Sequence, residues 1–171
     1  MKKQIIYPKL VPRVFASMLD LFILTIVATP ITTFISSRLL IFFFKDYFII
    51  NKIDLADNAE VNGVIKMTEF FQYMISNDNF FYYISVIFLL NTIIMGSYFI
   101  GFWIYKGATP GKMLMHMKIV DAITFEQPTK KQFFIRFFGY ITVFFGIWVI
   151  AFSKKRQALH DKSAGTVVIK S

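Results

Sequence analysis

Three long apolar runs constrain the fold of this chain more than any other feature of its sequence. They cover Val14–Ile35, Tyr82–Tyr105 and Phe133–Phe152. A hydrocarbon core of about 30 Å needs roughly 20 helical residues to cross it, and each run is long enough. Charged residues make up only 17% of the chain, against about 25% in a typical soluble domain. The sequence therefore predicts an all-α membrane protein with about three hydrophobic helical segments.

The 171 residues are expected to form a single membrane domain over 1–171, in which a linker, 37–81, separates the first two runs. The linker opens with Leu39–Phe44, an apolar stretch too short to span a bilayer alone. Its middle, Asn51–Gly63, is polar and rich in turn-forming residues. The pattern of Met67–Ile75 predicts a short amphipathic helix at the membrane surface.

The distribution of charge predicts how the chain is oriented. Residues 1–13 carry four basic side chains and no acidic one, and the connector 106–132 carries five lysines against two acids. The 37–81 linker carries four basic residues against six acidic ones. Because basic loops stay on the cytoplasmic side, the N-terminus and the connector are expected inside and the linker outside. The chain is thus predicted to be a multi-pass protein of the cell (inner or plasma) membrane.

The third run, Phe133–Phe152, has two open interpretations. A single crossing would place the tail outside, yet the tail carries five basic residues against Asp161 alone. In addition, Met113–Asp121 alternates as a strand and Thr166–Lys170 is rich in β-branched residues. These strands could pair as a small cytoplasmic β-hairpin-like cap only if both ends of the run face the cytoplasm. A re-entrant hairpin that turns near Gly146 satisfies this condition, and an ordinary span remains the alternative.

Asp20 is the most informative single residue because it lies inside the first apolar run. A carboxylate at the bilayer centre costs about 2.5–3.5 kcal/mol on insertion scales, so Asp20 needs a partner or a wet cavity. Arg13 shares its helix face but lies roughly 10 Å away along the axis, too far for a direct bond. The pair predicts an ion or proton site. The competing interpretation is a buried carboxylate that fixes helix packing through a hydrogen bond.

Other polar residues could support such a site. Asn91 lies in the middle of the second run, near a small-residue face that could let helices approach closely. Arg136 begins the third run and could pair with Asp20 or Asp161. His160 and Asp161 could form a base and its orienting carboxylate, but no serine nucleophile stands in a matching context.

Several classes of function are not supported by the sequence. The Gly107–Lys112 turn is one residue shorter than a phosphate loop and has Met113 in place of the metal-binding hydroxyl, so we reject a nucleotide site. Cysteine is absent and the two histidines lie far apart, so no metal site and no cofactor are expected. No catalytic constellation stands out, and we expect no enzyme activity. The net charge of +9 sits beside apolar runs, which favours lipid headgroups over nucleic acid as the partner.

Three segments, taken together, resemble the RDD family of small prokaryotic membrane proteins. They are Pro12-Arg13-x-x-Ala16-x-x-x-Asp20, then Gly107-x-Thr109-x-Gly111-Lys112 followed by Lys118-Ile-Val-Asp121, and finally Arg156-Gln-Ala-Leu-His-Asp161-x-x-Ala164-Gly165-Thr166-Val-Val. The family is named for one arginine and two aspartates, and Arg13, Asp20 and Asp161 match them by position. The resemblance covers nearly the whole chain except the linker. It implies a connection with transport and names no substrate.

Two functional hypotheses follow. In the first, the protein is transport-linked and moves protons or small cations with Asp20 as the titrating group. Three helical segments enclose no private pathway, so a homo-oligomer or other membrane proteins are expected as partners within the lipid bilayer. In the second, the protein is a non-transporting assembly, scaffold or regulatory subunit that acts through its cytoplasmic cap.

Overall fold

The computed structural model describes residues 5–51, 67–142, 149–153 and 155–170. The described helices, in chain order, are α1 (Leu10–Phe43), α2 (Lys45–Ile50), α3 (Met67–Ser76), α4 (Phe80–Lys106), α5 (Pro110–Leu114), α6 (Lys130–Phe138), α7 (Val149–Phe152) and α8 (Leu159–Ser163). The strands are β1 (Met117–Asp121) and β2 (Thr166–Lys170), and a 3-10 turn covers Gly139–Thr142. The chain divides into two compact units, Met1–Ile26 with Ile94–Ser171, and Val27–Ile93.

Two helices, α1 and α4, are long and apolar enough to cross a membrane. No other helix in the described part of the chain meets both conditions. Both were predicted, and both extend beyond the predicted bounds. Helix α1 has 34 residues because it begins at Leu10 and continues through Pro30 to Phe43. It therefore includes all but the last residue of Leu39–Phe44, which was predicted as a separate apolar stretch. In each helix, only 11% of the most apolar stretch of 18 residues is buried within the protein. Such outward apolar surface favours a lipid environment over water.

The predicted third helical segment is not confirmed. Helix α6 ends at Phe138 and a 3-10 turn follows, so the first part of the apolar run is not a straight continuous helix. Helix α7 contains only four residues. The predicted hairpin turn near Gly146 lies outside the described residues.

The predicted strand pairing is confirmed. Strands β1 and β2 form a two-stranded antiparallel sheet in which Met117 pairs with Lys170 and Asp121 pairs with Thr166. The first strand starts four residues later than the predicted Met113, because Pro110 at the first helical position starts α5 instead. A cytoplasmic location for this sheet remains a prediction.

The unit formed by Met1–Ile26 and Ile94–Ser171 contains an apolar core under the sheet. The buried members of this core come from the helices α1, α4 and α6 and from both strands. They are Ala16, Phe99, Trp103, Met117, Ile119, Phe133, Phe137 and Val168. Trp103 is fully buried, and its ring lies 5.9 Å from that of Phe133 and 5.8 Å from that of Tyr140. The core therefore holds α4, α6 and the sheet together around the residues described below.

The orientation of α6 is fixed at its first turn. Thr129 accepts a hydrogen bond from the Gln132 backbone, and the Gln132 side chain accepts one from Thr129, which forms a capping box. The Gln132 amide also donates to Asp121 at 2.6 Å and so ties α6 to β1. This bond, aided by the backbone amides of Thr124 and Ile123, lowers the pKa of Asp121 from 3.8 to about 2.

The other unit, Val27–Ile93, contains an aromatic cluster built from the linker. Its buried members are Phe44, Tyr47, Phe48 and Phe70, which come from both sides of the segment 52–66. Rings of Tyr47 and Phe70 lie 4.9 Å apart, a spacing at which aromatic pairs attract each other. The predicted Met67–Ile75 helix is confirmed as α3, whereas most of the polar stretch Asn51–Gly63 lies outside the described residues.

Candidate functional site

A buried ion-pair cluster joins three elements of the first unit. Arg13 on α1 donates from Nη1 to Oδ2 of Asp161 at 2.7 Å, and Arg136 on α6 contacts Oδ1 of the same carboxylate. Asp161 belongs to α8, and its exposed fraction is 0%, against 1% for Arg136 and 6% for Arg13. One carboxylate therefore pairs with two buried guanidinium groups, compensates one of their two charges, and links α1, α6 and α8.

Further hydrogen bonds hold the Asp161 cluster in place. Oδ2 of Asp161 also accepts from the Ala158 backbone at 3.1 Å, and Arg136 donates to the Thr166 hydroxyl at 2.7 Å. Burial opposes ionisation of Asp161, but the charges of Arg136 and Arg13 outweigh it and lower the pKa of the carboxyl below its usual value. Asp161 therefore remains an anion at neutral pH.

His160 stands beside this cluster as a neutral ring. Its Nε2 lies 3.6 Å from Oδ1 of Asp161, and the ring lies 4.5 Å from that of Tyr140. Burial and the positive charge of Arg136 lower the pKa of His160 to about 3, although the Asp161 charge acts in the opposite direction. A ring with so low a pKa is a weak proton acceptor at pH 7.

Asp20 is also buried, and its carboxylate is bound by the loop that follows α4. The Thr109 hydroxyl donates to Oδ2 at 2.5 Å and the Gly111 backbone donates to Oδ1 at 2.7 Å. The Lys112 ammonium lies 3.7 Å from Oδ2, and the Tyr98 hydroxyl donates to Oδ1 at 3.3 Å. Asp20, with an exposed fraction of 1%, is therefore neutralised within the fold.

The sequence of this loop suits that contact. Gly107 adopts a positive φ of 68° and ends α4, since a left-handed residue closes a helix readily when it is glycine. Gly111 lies against α1 so closely that a Cβ there would stand 2.1 Å from the Ala16 carbonyl oxygen and 3.0 Å from the Asp20 carboxyl carbon. The loop that resembled a phosphate loop thus binds a carboxylate of its own chain.

A cavity of about 380 Å³ adjoins these residues. Its polar lining comes from Arg13, Lys112, Arg136, His160 and Ser17, and its apolar lining from Leu21, Met95, Phe99, Tyr140, Ile150 and Val168. The volume is within the range of about 300–1,000 Å³ that is usual for small-molecule sites. Most of the cavity wall is apolar, and its charged lining groups are all basic.

Several buried nitrogen atoms in this unit have no hydrogen-bond partner among the described residues. They are Nε and Nη2 of Arg13, Nε of Arg136, Nδ1 of His160 and Nε1 of Trp103. Oδ1 of Asp161 accepts no hydrogen bond either, but it is in ion-pair contact with Arg136. Unpaired buried donors are costly, so the free N–H groups of the two arginines suit an additional acceptor.

The structure brings most of the sequence-predicted site residues together. Arg13, Arg136 and His160 surround Asp161, whereas Asp20 is held by the loop. Of the two partners considered for Arg136, Asp161 is the one that it binds. Asn91 belongs to the unit Val27–Ile93, where its amide donates to the Ile87 carbonyl at 2.8 Å.

Sequence reasoning did not assign roles to Thr109, Gly111, Lys112 or Tyr98. The Gly107-x-Thr109-x-Gly111-Lys112 pattern was a signal for the first three, since it was one of the segments on which the family resemblance rested. No group of three or more metal-ligating side chains occurs in the part of the chain that the structure describes.

These observations define a class of protein: a helical chain with two apolar helices of membrane-spanning length and a buried network of arginines and aspartates at one end. A sequence model of the RDD family matches residues 7–165, so the chain belongs to the RDD family. It is 48% identical over 173 residues to a protein of Rickettsia prowazekii (strain Madrid E) that is named as uncharacterized, and the match covers 100% of each chain. No solved structure matches the chain. Family membership and the two apolar helices indicate a membrane protein.

Arg13, Asp20 and Asp161, which the sequence comparison with the family predicted as its three namesake residues, are all buried in polar contacts. Arg13 and Asp161 bind each other, and Asp20 binds the loop 107–112. Together, these two contacts anchor the first helix to the C-terminal segment and to the loop after α4.

Proposed function

We propose that this RDD family protein is a multi-pass protein of the cell membrane with a transport-linked role, and that its cavity binds an anion. The observation that supports the anion is the lining of the cavity, where Arg13, Lys112 and Arg136 are the charged groups. Among the described residues these three basic side chains face two buried acids, Asp20 and Asp161, so this part of the cluster carries one excess positive charge. A buried excess charge is unfavourable unless a counter-ion approaches it.

A proton or small cation that binds at Asp20 fits these contacts less well. Both carboxylate oxygens already accept hydrogen bonds, from Thr109 and from Gly111. A metal cation would have to displace these donors and lie beside the Lys112 ammonium, which repels it. The contacts of Asp20 therefore favour the packing role that was the competing interpretation of this residue.

Flux into reconstituted vesicles tests the proposal. Purified protein in phosphatidylcholine vesicles is expected to carry radiolabelled inorganic phosphate or alkyl phosphates, independent of Na⁺, K⁺ or Li⁺ gradients. Ser17 lines the cavity, so Ser17→Leu should fill it and reduce the flux about tenfold or more. Ser97 is exposed on α4 and does not line the cavity, so Ser97→Leu is the matched control and should retain the flux.

Other outcomes of the vesicle assay contradict the proposal. Proton flux that needs a Na⁺, K⁺ or Li⁺ gradient, is lost in Asp20→Asn and survives in Ser17→Leu would favour the cation mechanism. Absence of flux for every ion, together with a stable co-purifying protein that is lost in Asp161→Ala, would favour an assembly, scaffold or regulatory subunit. A homo-oligomer in the lipid bilayer, and no enzymatic role, remain part of the proposal.

The proposed topology places the N-terminus in the cytoplasm and the 37–81 linker outside. The basic residues of 1–13 and 106–132 support this orientation, and the pairing of β1 with β2 supports a third apolar run whose two ends lie on the same side. Reporter fusions at Ser171 and within Asn51–Gly63 are therefore expected to report opposite sides of the membrane. The same side for both fusions would contradict re-entry of Phe133–Phe152.

A further inference from the structure

The cavity beside the ion-pair cluster is amphipathic. Three of its polar lining residues, Arg13, Arg136 and His160, surround Asp161, and Lys112 approaches Asp20. The remaining wall is almost entirely aliphatic or aromatic. A ligand that fits both parts must combine a charged group with an apolar body, because a small hydrated ion leaves the apolar wall in contact with water.

The polar side of the cavity is prepared for an anion. Among the described residues, neither Nε nor Nη2 of Arg13 has a hydrogen-bond partner, and Nε of Arg136 has none either. Guanidinium groups bind phosphate and carboxylate oxygens through paired N–H donors. Asp161 contacts Nη1 of each arginine, and Nη1 of Arg136 also donates to Thr166; the unpaired nitrogens are buried, so a second acceptor reaches them only when the guanidinium groups turn toward the cavity.

The apolar side of the cavity reaches the outer surface of the helices. Leu21 on α1 and Met95 on α4 line the cavity, yet 54% and 36% of their respective surfaces are exposed. Both helices have the length and apolar surface of membrane-spanning segments, so this surface would face lipid tails. An apolar chain could therefore lie along Leu21, Met95 and Phe99 while its head stays with the arginines.

We infer that the cavity binds a single-chain anionic amphiphile, with a phosphate or carboxylate head held by Arg13, Arg136 and Lys112 and an alkyl chain against the apolar wall. This inference rests on the anion assigned in the proposed function and specifies its chemical class. It requires neither a second copy of the chain nor a cofactor. Flux is not part of it, so binding can be tested separately from transport.

Binding to the full-length protein in a maltoside detergent tests the inference. The probes are decyl phosphate, decanoate, inorganic phosphate and decanol, measured by calorimetry and by thermal shift. Decyl phosphate or decanoate is expected to bind at least about tenfold more tightly than inorganic phosphate or decanol. Within an alkyl phosphate series, two added methylene groups should tighten binding about tenfold until the cavity is full.

Two variants separate binding in the cavity from partitioning into micelles. Ser17→Leu should weaken decyl phosphate binding at least about tenfold, and Ser97→Leu should leave it unchanged. Lys112→Gln should reduce the preference for decyl phosphate over decanol, and Lys112→Arg should restore it, which keeps the inference testable if Ser17→Leu does not fold. Equal affinity in wild type, Ser17→Leu and Lys112→Gln would overturn the inference.

The two proposals fail in different ways. Tight binding of decyl phosphate without vesicle flux would support the amphiphile and contradict transport. Flux of inorganic phosphate without binding of any alkyl phosphate or decanoate would support an anion transporter and overturn the amphiphile. A strong preference for decyl phosphate over decanoate would identify the head as phosphate, and the reverse would identify it as carboxylate.

Discussion

Asp161→Asn is expected to lower the free energy of unfolding by about 3–5 kcal/mol, the usual cost of removing one partner from a buried ion pair. The variant keeps the size of the side chain but removes the charge that pairs with both Arg13 and Arg136. Asp161 has an exposed fraction of 0%, so water cannot replace it without opening the unit. The effect should appear as a large fall in the thermal midpoint of the purified protein in detergent.

The comparison variants make this prediction specific. Asp78→Asn changes an exposed acid in the same way and should leave the midpoint almost unchanged. Adding Arg13→Gln to Asp161→Asn should recover part of the stability, because one of the two uncompensated buried charges is removed. A loss in Asp161→Asn no greater than in Asp78→Asn would mean that the cluster does not hold α1, α6 and α8 together.

The long helices could be predicted from the sequence because run length alone identifies a span. Tyr82–Tyr105 was predicted within two residues at its N-terminal end and one at its C-terminal end. Val14–Ile35 was predicted too short, because Ser36, Ser37 and Arg38 suggested an end that the helix does not have. Short polar side chains can bond their own helix, as Ser36 does to the Thr33 carbonyl, so they do not stop it.

The site could be predicted only in part. An ionisable residue in an apolar sequence signals that a partner exists, which identified Asp20 and Arg136. Arg13 was identified by the helix face it shares with Asp20, and Asp161 by the family resemblance. The choice of partner depends on contacts between distant elements, and Arg13 and Asp161 are 148 residues apart. Arg13 and Asp20 were grouped as one site because they share a face of the first helix, although they lie too far apart for a direct bond; the folded chain gives each a different partner.

The two aspartates bind different basic groups of one cavity lining. Asp161 fixes Arg13 and Arg136, and Asp20 fixes the loop that carries Lys112. Each acid holds a basic group that lines the cavity, while neither acid lines it. The two aspartates therefore act on the proposed ligand indirectly, as positioning residues for its basic partners, whereas Arg13 lines the cavity itself. This division explains why an acid-rich motif can accompany a site whose charge favours an anion.

Gly111→Ala is expected to cost about 3 kcal/mol or more. A methyl group at this position would overlap the Ala16 backbone oxygen at 2.1 Å, and a backbone atom cannot rotate away as a side chain can. The loop would have to move off α1, which breaks the hydrogen bond from Gly111 to Asp20 and leaves a buried carboxylate with fewer donors. The thermal midpoint in detergent measures the loss.

Gly101→Ala is the matched control for this prediction, because no described atom lies within 4 Å of the position that the added methyl would take. Alanine favours a helix over glycine by up to about 1 kcal/mol, so this variant should be neutral or slightly more stable. Because Gly111→Ala and Asp20→Asn disturb the same contact, their combined loss should be smaller than the sum of the two. Additive losses would show that the loop and Asp20 stabilise the protein independently, contrary to the hydrogen bond that joins them.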